Sequence, residues 1–227
     1  MLKKFKKIIA LLWAIRPGGD IHQRSIYLIS KLGLNVDVKG TIPKQQCILV
    51  SNHVGYLDPV IIASKVKCLP IAKKELSTWP IFGYCLKKFG LIFYERQNVH
   101  SGVKTIYQSF KALKKGSNML VFPEGTTTRG DTVLPFKRGM FGVSKITGIP
   151  VVPVRIKFDN PNCSWAEQDS RSLAQHYWWL ISLKAINVTI EFFDPIFPNP
   201  LESPGDMACK VCDIICCTNV TSSDAFK

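Results

Sequence analysis

The feature that most constrains this chain is a rhythm: short runs of β-leaning apolar residues alternate with longer helix-like stretches. Cys47-Ile48-Leu49-Val50 is the plainest of the runs, four apolar residues bounded by polar neighbours, and it predicts a buried strand. Strand-like runs also occur at Val36–Gly40, Cys68–Ala72, Gly90–Tyr94, Asn118–Phe122, Val151–Phe158 and Val188–Phe193. Helix-like stretches cover Ile21–Leu34, Ser101–Lys115, Gly139–Thr147, Ser172–Ile186 and Asp206–Cys217. Strand, helix, strand in this order predicts an α/β fold, a single domain whose mostly parallel mixed sheet is flanked by helices. The 227 residues suit one core. In such folds ligands gather where strands end and loops begin, so loops that directly follow strands are the first places to search.

The loop after the Cys47 strand reads Ser51-Asn52-His53-Val54-Gly55-Tyr56-Leu57-Asp58-Pro59. Asp58 reads as the N-cap of the next helix and Pro59 as its first residue. A spacing of five does not stack His53 and Asp58 on one helix face. Across a turn containing Gly55, however, the chain can fold back and bring imidazole to carboxylate. A histidine held in this way has its tautomer fixed, and its bare nitrogen can take a proton from an attacking hydroxyl. The alternative is a capped helix with His53 satisfied by local backbone, and these residues alone leave both readings open.

A second loop, after the strand ending at Phe122, reads Pro123-Glu124-Gly125-Thr126-Thr127-Thr128-Arg129-Gly130-Asp131. Gly125 lets backbone approach a ligand, the threonines offer hydroxyls, and Glu124 and Arg129 can hold polar partners. These are the makings of a pocket for a phosphorylated polyol; a plain turn is the competing account. Phe136-Lys137-Arg138-Gly139 then brings two cations to a helix start, which already favours anions.

Lysine and arginine outnumber aspartate and glutamate by 30 to 16, a formal net charge of +14, so an anionic partner is expected: nucleic acid, acidic lipid surface or phosphorylated metabolite. Dedicated nucleic-acid motifs are absent, as are P-loop and Rossmann glycine patterns. Residues 1–40 are expected to form an N-terminal amphipathic helical segment, and 41–227 the α/β domain. Lys3, Lys4, Lys6 and Lys7 precede Ile8-Ile9-Ala10-Leu11-Leu12-Trp13-Ala14-Ile15, too short a run to cross a bilayer, which needs about twenty residues. Arg16-Pro17-Gly18-Gly19-Asp20 offers no small-x-small cleavage site, so the segment is expected to be retained. It suits the membrane interface, attracted by anionic headgroups, or else an ordinary terminal helix packed on the core. Eight cysteines, scattered over strands and helices, read as reduced thiols. The Cys209-x2-Cys212-x3-Cys216-Cys217 cluster lies in a helix-like stretch without the turn a tetrahedral zinc site needs, and no metal site is expected. Tyr177-Trp178-Trp179 reads most simply as core packing.

Taken in order, Asn52-His53-x4-Asp58, Gly90 to Asn98, Phe122-Pro123-Glu124-Gly125-Thr126, Phe136-Lys137-Arg138-Gly139 and Ile149 to Val154 resemble the ordered blocks of the glycerolipid acyltransferases, in particular the bacterial 1-acyl-glycerol-3-phosphate acyltransferases. Two positions depart from that family: Thr127 stands where it usually has arginine after Glu-Gly-Thr, and Glu95 where it usually has aspartate. The resemblance implies direct acyl transfer, without an acyl-enzyme, from an acyl-CoA or acyl carrier protein thioester to the free hydroxyl of 1-acyl-glycerol-3-phosphate. His53 would be the base and Asp58 its orienting partner. Arg96, Glu124, Gly125 and Thr126 would line the acceptor site, Lys137 would add charge, and Arg129 could make the phosphate contact of the missing arginine. Backbone amides in the loop after His53, or at the helix start near Pro59, would bind the carbonyl oxyanion. No metal or redox cofactor is implied. The enzyme would act at the cytoplasmic face of a membrane, as a peripheral protein on an anionic surface; another lysolipid acceptor, or a non-catalytic lipid-binding role, is the alternative. Oligomeric state is left open.

Overall fold

A computed structural model describes residues 2–14, 19–78, 84, 86–87, 91–95 and 99–217. The seven-stranded sheet has the order β1 (Leu34–Gly40), β7 (Ile186–Phe192), β6 (Val151–Phe158), β2 (Ile48–Ser51), β5 (Met119–Val121), β3 (Leu69–Lys73) and β4 (Ile92–Tyr94). β2 runs parallel to both neighbours, with Val50 opposite Val121 on one side and Pro153 on the other. Among the described strands the single antiparallel pairing joins β6 to β7, and β1 lies parallel to β7, so these two edge-side strands run against the rest. The expected α/β class with a mostly parallel mixed sheet is the observed one. Its consequence is that the chain leaves β2, β5 and β6 at the same edge of the sheet.

Alternation along β2 sends its side chains into two layers, because successive residues of a strand point to opposite faces. Ile48 and Val50 join Met119 and Val121 under α4 (Val99–Lys114), α5 (Gly139–Thr147) and α7 (Pro204–Cys217), which contribute Leu113, Phe141 and Val211. Leu49 joins Leu120, Val152 and Val154 under α2 (Ile21–Leu32), α3 (Asp58–Ala63) and α6 (Leu173–Leu180), which contribute Leu32, Ile61 and Leu180. All four residues of β2 are buried, as a central parallel strand covered on both faces requires.

Local chemistry sets the ends of these helices. Asp20 caps α2 by accepting from the His22 amide at 2.8 Å, and Gly33, in the left-handed region at φ 77°, ends it by donating to the Ile29 carbonyl. The helix thus ends at Leu32 rather than Leu34, which becomes the first residue of β1. Ser172 and Gln175 form a reciprocal capping box at the start of α6.

The N-terminal helix α1 (Leu2–Ala14) buries Ala10 and hands the Lys7 ammonium to the Leu183 carbonyl at 3.0 Å, while Phe5, Ile9, Leu12 and Trp13 stay exposed. Among the described residues no helix is long and apolar enough to cross a membrane. In α6, Tyr177 and Trp179 pack against the core as expected, but Trp178 is exposed, because the short helix turns its buried side through His176 and Leu180. Cys47, Cys68 and Cys163 are buried free thiols, and in α7 the Cys212 and Cys216 sulfurs are 3.9 Å apart.

Candidate active site

Loops from β2, β5 and β6 converge at one edge of the sheet. Asn52 fixes the first of them. Its amide donates to the Ile156 carbonyl at 3.0 Å and its carbonyl accepts from the Ile156 amide at 2.9 Å, so the side chain stands in for a strand where β2 has ended. The chain then turns through Gly55, and Asp58 comes back under His53. The Asp58 carboxylate is wholly buried, and its Oδ2 accepts from His53 Nδ1 at 2.8 Å, from the Val54 amide at 2.6 Å and from the Gly55 amide at 2.8 Å. An oxygen that already accepts from two amides is a carboxylate acceptor, so Nδ1 carries the hydrogen of the neutral ring and Nε2 its lone pair. Nε2 has no protein partner among the described residues, and the ring is 17% exposed.

One sequence expectation is corrected here and a second is narrowed. Asp58 is not the N-cap: Leu57 holds that position and Asp58 is the first residue of α3, because upstream donors capture the carboxylate that would otherwise have turned toward the helix amides. For the same reason the Val54 and Gly55 amides are engaged by Asp58 and are not available as oxyanion donors.

The second loop holds the first. Glu124 is buried, and its oxygens accept from the His53 amide at 2.7 Å and from the Leu134 amide at 2.9 Å. Burial raises its carboxyl above the ordinary value, against the opposing pull of these two amides. The Thr128 amide donates to the His53 carbonyl at 2.8 Å, and the Phe122 ring stacks on the imidazole with centroids 4.1 Å apart. Glu124 therefore positions His53 from behind.

Gly125 sits at φ 72°, and a Cβ there would lie 2.7 Å from the Lys137 Nζ, so the glycine makes room for that ammonium, which also lies over the Tyr94 ring. The Thr126 hydroxyl donates to Glu167 at 3.0 Å, and Lys73 donates to the same carboxylate oxygen at 2.7 Å. Arg129 turns the other way and pairs with Asp169 at 3.2 Å. The Arg171 amide first, then the Arg129 and Arg171 charges, hold the Asp169 carboxyl below its ordinary range. The Thr127 hydroxyl is buried without a partner. Arg96 lies outside the described residues.

The structure thus brings His53, Asp58 and Glu124 into one bonded unit, sets Gly125 against Lys137 beside it, and directs Arg129 into a separate ion pair. The sequence reading missed Glu167 and Asp169, which lie in the loop after β6. The rule that ligands collect where strands end would have pointed to them, and the Trp165 amide, donating to the Val54 carbonyl at 2.8 Å, is what draws that loop inward.

The chain is also similar to known proteins. A family model described as Acyltransferase matches residues 34–157. The chain is 31% identical over 159 residues to a chloroplastic 1-acyl-sn-glycerol-3-phosphate acyltransferase of Brassica napus, an alignment covering 68% of this chain and 43% of the relative. It is 29% identical over 173 residues to a lyso-ornithine lipid O-acyltransferase of Pseudomonas aeruginosa, covering 74% of this chain and 66% of the relative. The chain spans less than two thirds of the length of these curated relatives. The crystal structure of the 1-acyl-sn-glycerophosphate acyltransferase from Thermotoga maritima superposes with a TM-score of 0.63, covering 97% of this chain and 91% of that one; at 21% identity the likeness is one of fold.

Proposed function

The chain belongs to the acyltransferase family, and on that premise we propose that it transfers a fatty acyl group from a thioester, acyl-CoA or acyl carrier protein, to the free hydroxyl of a 1-acyl-glycerol-3-phosphate, giving phosphatidic acid. The observation that carries the reading is the His53–Asp58 pair at 2.8 Å with Nε2 left open. The acceptor hydroxyl gives its proton to Nε2 as its oxygen attacks the thioester carbonyl. The new C–O bond forms, the C–S bond breaks, and the departing thiolate takes the proton back from the imidazolium. No residue of the chain is acylated.

Asp58 supports this step in two ways. It fixes the tautomer, and its buried negative charge, 2.8 Å from Nδ1, favours the imidazolium that forms as the ring takes the proton. Lys137, held open by Gly125, is the described cation set to meet an anionic headgroup. The net charge of +14 and the apolar face of α1 support a place at the anionic, cytoplasmic face of a membrane.

A second acceptor has its own support. Thr127 replaces the family's arginine, a carboxylate, Glu167, bonds the adjacent Thr126, and lyso-ornithine lipid O-acyltransferases of Pseudomonas aeruginosa, Rhizobium meliloti and Brucella abortus are among the relatives. A lysolipid with an amino-acid headgroup is the competing substrate. One radiolabelled acyl thioester, offered with lysophosphatidic acid and with lyso-ornithine lipid to purified wild type and His53→Ala, tests both readings. Transfer to the first that depends on His53 supports the primary proposal; transfer to the second alone replaces it. Label retained by His53→Ala at the wild-type rate would refute the mechanism.

A further inference from the structure

Helix α4 is built inside out. Toward the protein it presents Thr105, Ser109 and Leu113, with half-buried Ser101, Gly102 and Ala112, so most of its inner face is hydroxyl or small. Toward solvent it presents Val103, 64% exposed, Ile106 at 37% and Tyr107 at 56%, with Phe110 half-buried among them. At 100° per residue these four side chains occupy one arc of about 100° on the helix. Beside the arc lie His100, Lys104, Lys111 and Lys115, Lys114 stands at its far end, and the stretch from Val99 to Ser117 has no acidic residue. The Lys111 ammonium lies 4.6 Å from the Tyr107 ring centroid and Lys114 lies 5.6 Å from that of Phe110, so the cations border the apolar surface directly. A helix stabilised only by its own domain would turn this stripe inward.

We propose that the outer face of α4 is a docking surface for an anionic phospholipid bilayer. The apolar arc inserts at the boundary between headgroups and acyl chains, and the lysine edge meets lipid phosphates. The placement suits such a contact. The Ser101 hydroxyl accepts from the Glu95 amide at 3.0 Å and the Thr105 hydroxyl donates to the Phe93 carbonyl at 3.4 Å, which ties the start of the helix to the end of β4, on the same edge of the sheet as the His53 loop. This surface is separate from that of α1: Leu113 of α4 lies in the core layer on one side of the sheet and Ala10 of α1 in the layer on the other.

The inference goes beyond the acyl-transfer reading, and its test involves no turnover. The full chain would be sedimented with phosphatidylglycerol and with phosphatidylcholine vesicles, as wild type, as Lys104→Gln/Lys111→Gln, as Val103→Asn/Tyr107→Ser, and as the control Lys39→Gln/Lys157→Gln, whose exposed lysines lie on β1 and β6. Each lysine at the surface is worth about fivefold in partitioning, so the α4 lysine pair is expected to weaken binding to phosphatidylglycerol about 25-fold and the control pair much less. The apolar variant should lower binding to both vesicle types, and circular dichroism should show each variant folded. Equal losses in the two lysine pairs would mean that net charge alone drives binding and would overturn the proposal. So would unchanged vesicle binding in the α4 variants accompanied by weakened binding of an acidic acyl carrier protein, which would make that surface a protein site.

Discussion

The loops after β2 and β5 leave neighbouring strands at the same edge of the sheet, yet they are built on opposite plans. In the first, the polar groups turn inward: Asp58 gathers the imidazole and two amides on a single oxygen, Asn52 bridges to β6, and the Val54 carbonyl accepts from Trp165. In the second, one carboxylate, Glu124, is committed to holding the first loop, while Thr126, Arg129 and Lys137 face solvent or other loops. The contrast shows a division of labour. Under the proposed mechanism the loop that would move a proton is the tightly bonded one, because proton transfer requires hydrogen-bond geometry kept to within tenths of an ångström. The loop that would meet the variable part of a substrate is left with unsatisfied or rearrangeable groups.

Substitutions can break that division or sharpen it. The largest effect is expected from His53→Ala, which should lower kcat by about 10²–10⁴-fold, roughly 3 to 5 kcal/mol of transition-state stabilisation, with the thermal transition almost unchanged. Steady-state kinetics alongside thermal melts check both halves. Glu124→Ala strikes the joint between the loops. It leaves the His53 and Leu134 amides without acceptors, and a stability loss of about 2 to 4 kcal/mol is expected in denaturant titration, together with lost activity. If Glu124→Ala lost activity but no stability, the carboxylate would belong to the substrate side after all.

Asn52→Ala should lower stability by about 1 to 3 kcal/mol, since the buried Ile156 amide and carbonyl both lose their partner. Its effect on KM should be small, which separates anchoring from binding. A pH series sharpens the picture of Glu124. Its folded carboxyl is raised by burial, so the folded state binds the proton more tightly than the unfolded chain. Stability from this group is therefore greatest at low pH and falls as pH rises from the unfolded carboxylate range through the raised folded value. Wild type measured against Glu124→Gln should show this decline, and a flat difference would contradict it. The smallest change is expected from Thr127→Val: the buried hydroxyl has no partner, so stability should stay within about 1 kcal/mol of wild type or rise slightly. A large loss would reveal a partner on the acceptor-facing loop.

Much of the fold was legible in residue order because each element carries its own local signal. The run at β2 is apolar on both faces, β6 begins and ends where its apolar run does, and α5 matches its sequence span. The spacing of His53 and Asp58 left their contact as one of two readings, and the family resemblance favoured it. What could not be read was direction. A capping role for Asp58 and the contact with His53 demand the same carboxylate, and local rules favour the cap; the folded turn decides otherwise by presenting three donors at once. Glu124 and Arg129 were both legible as polar groups near a pocket. The backbone amides of His53 and Leu134, and Asp169 at a distance of 40 residues along the chain, determine that one becomes a support and the other an ion-pair partner.

The chain's own order of residues determined the strand–helix rhythm, the mostly parallel sheet and the two loops proposed to bear the chemistry, since these follow from periodicity and turn residues within a few positions of one another. Only the tertiary structure decided which oxygen meets which hydrogen, that the loop after β6 would bring Glu167 to Thr126, and that α4 would turn its apolar stripe to solvent. Those outcomes depend on groups far apart in the chain competing for the same few donors and the same buried space, and no local pattern records the result of that competition.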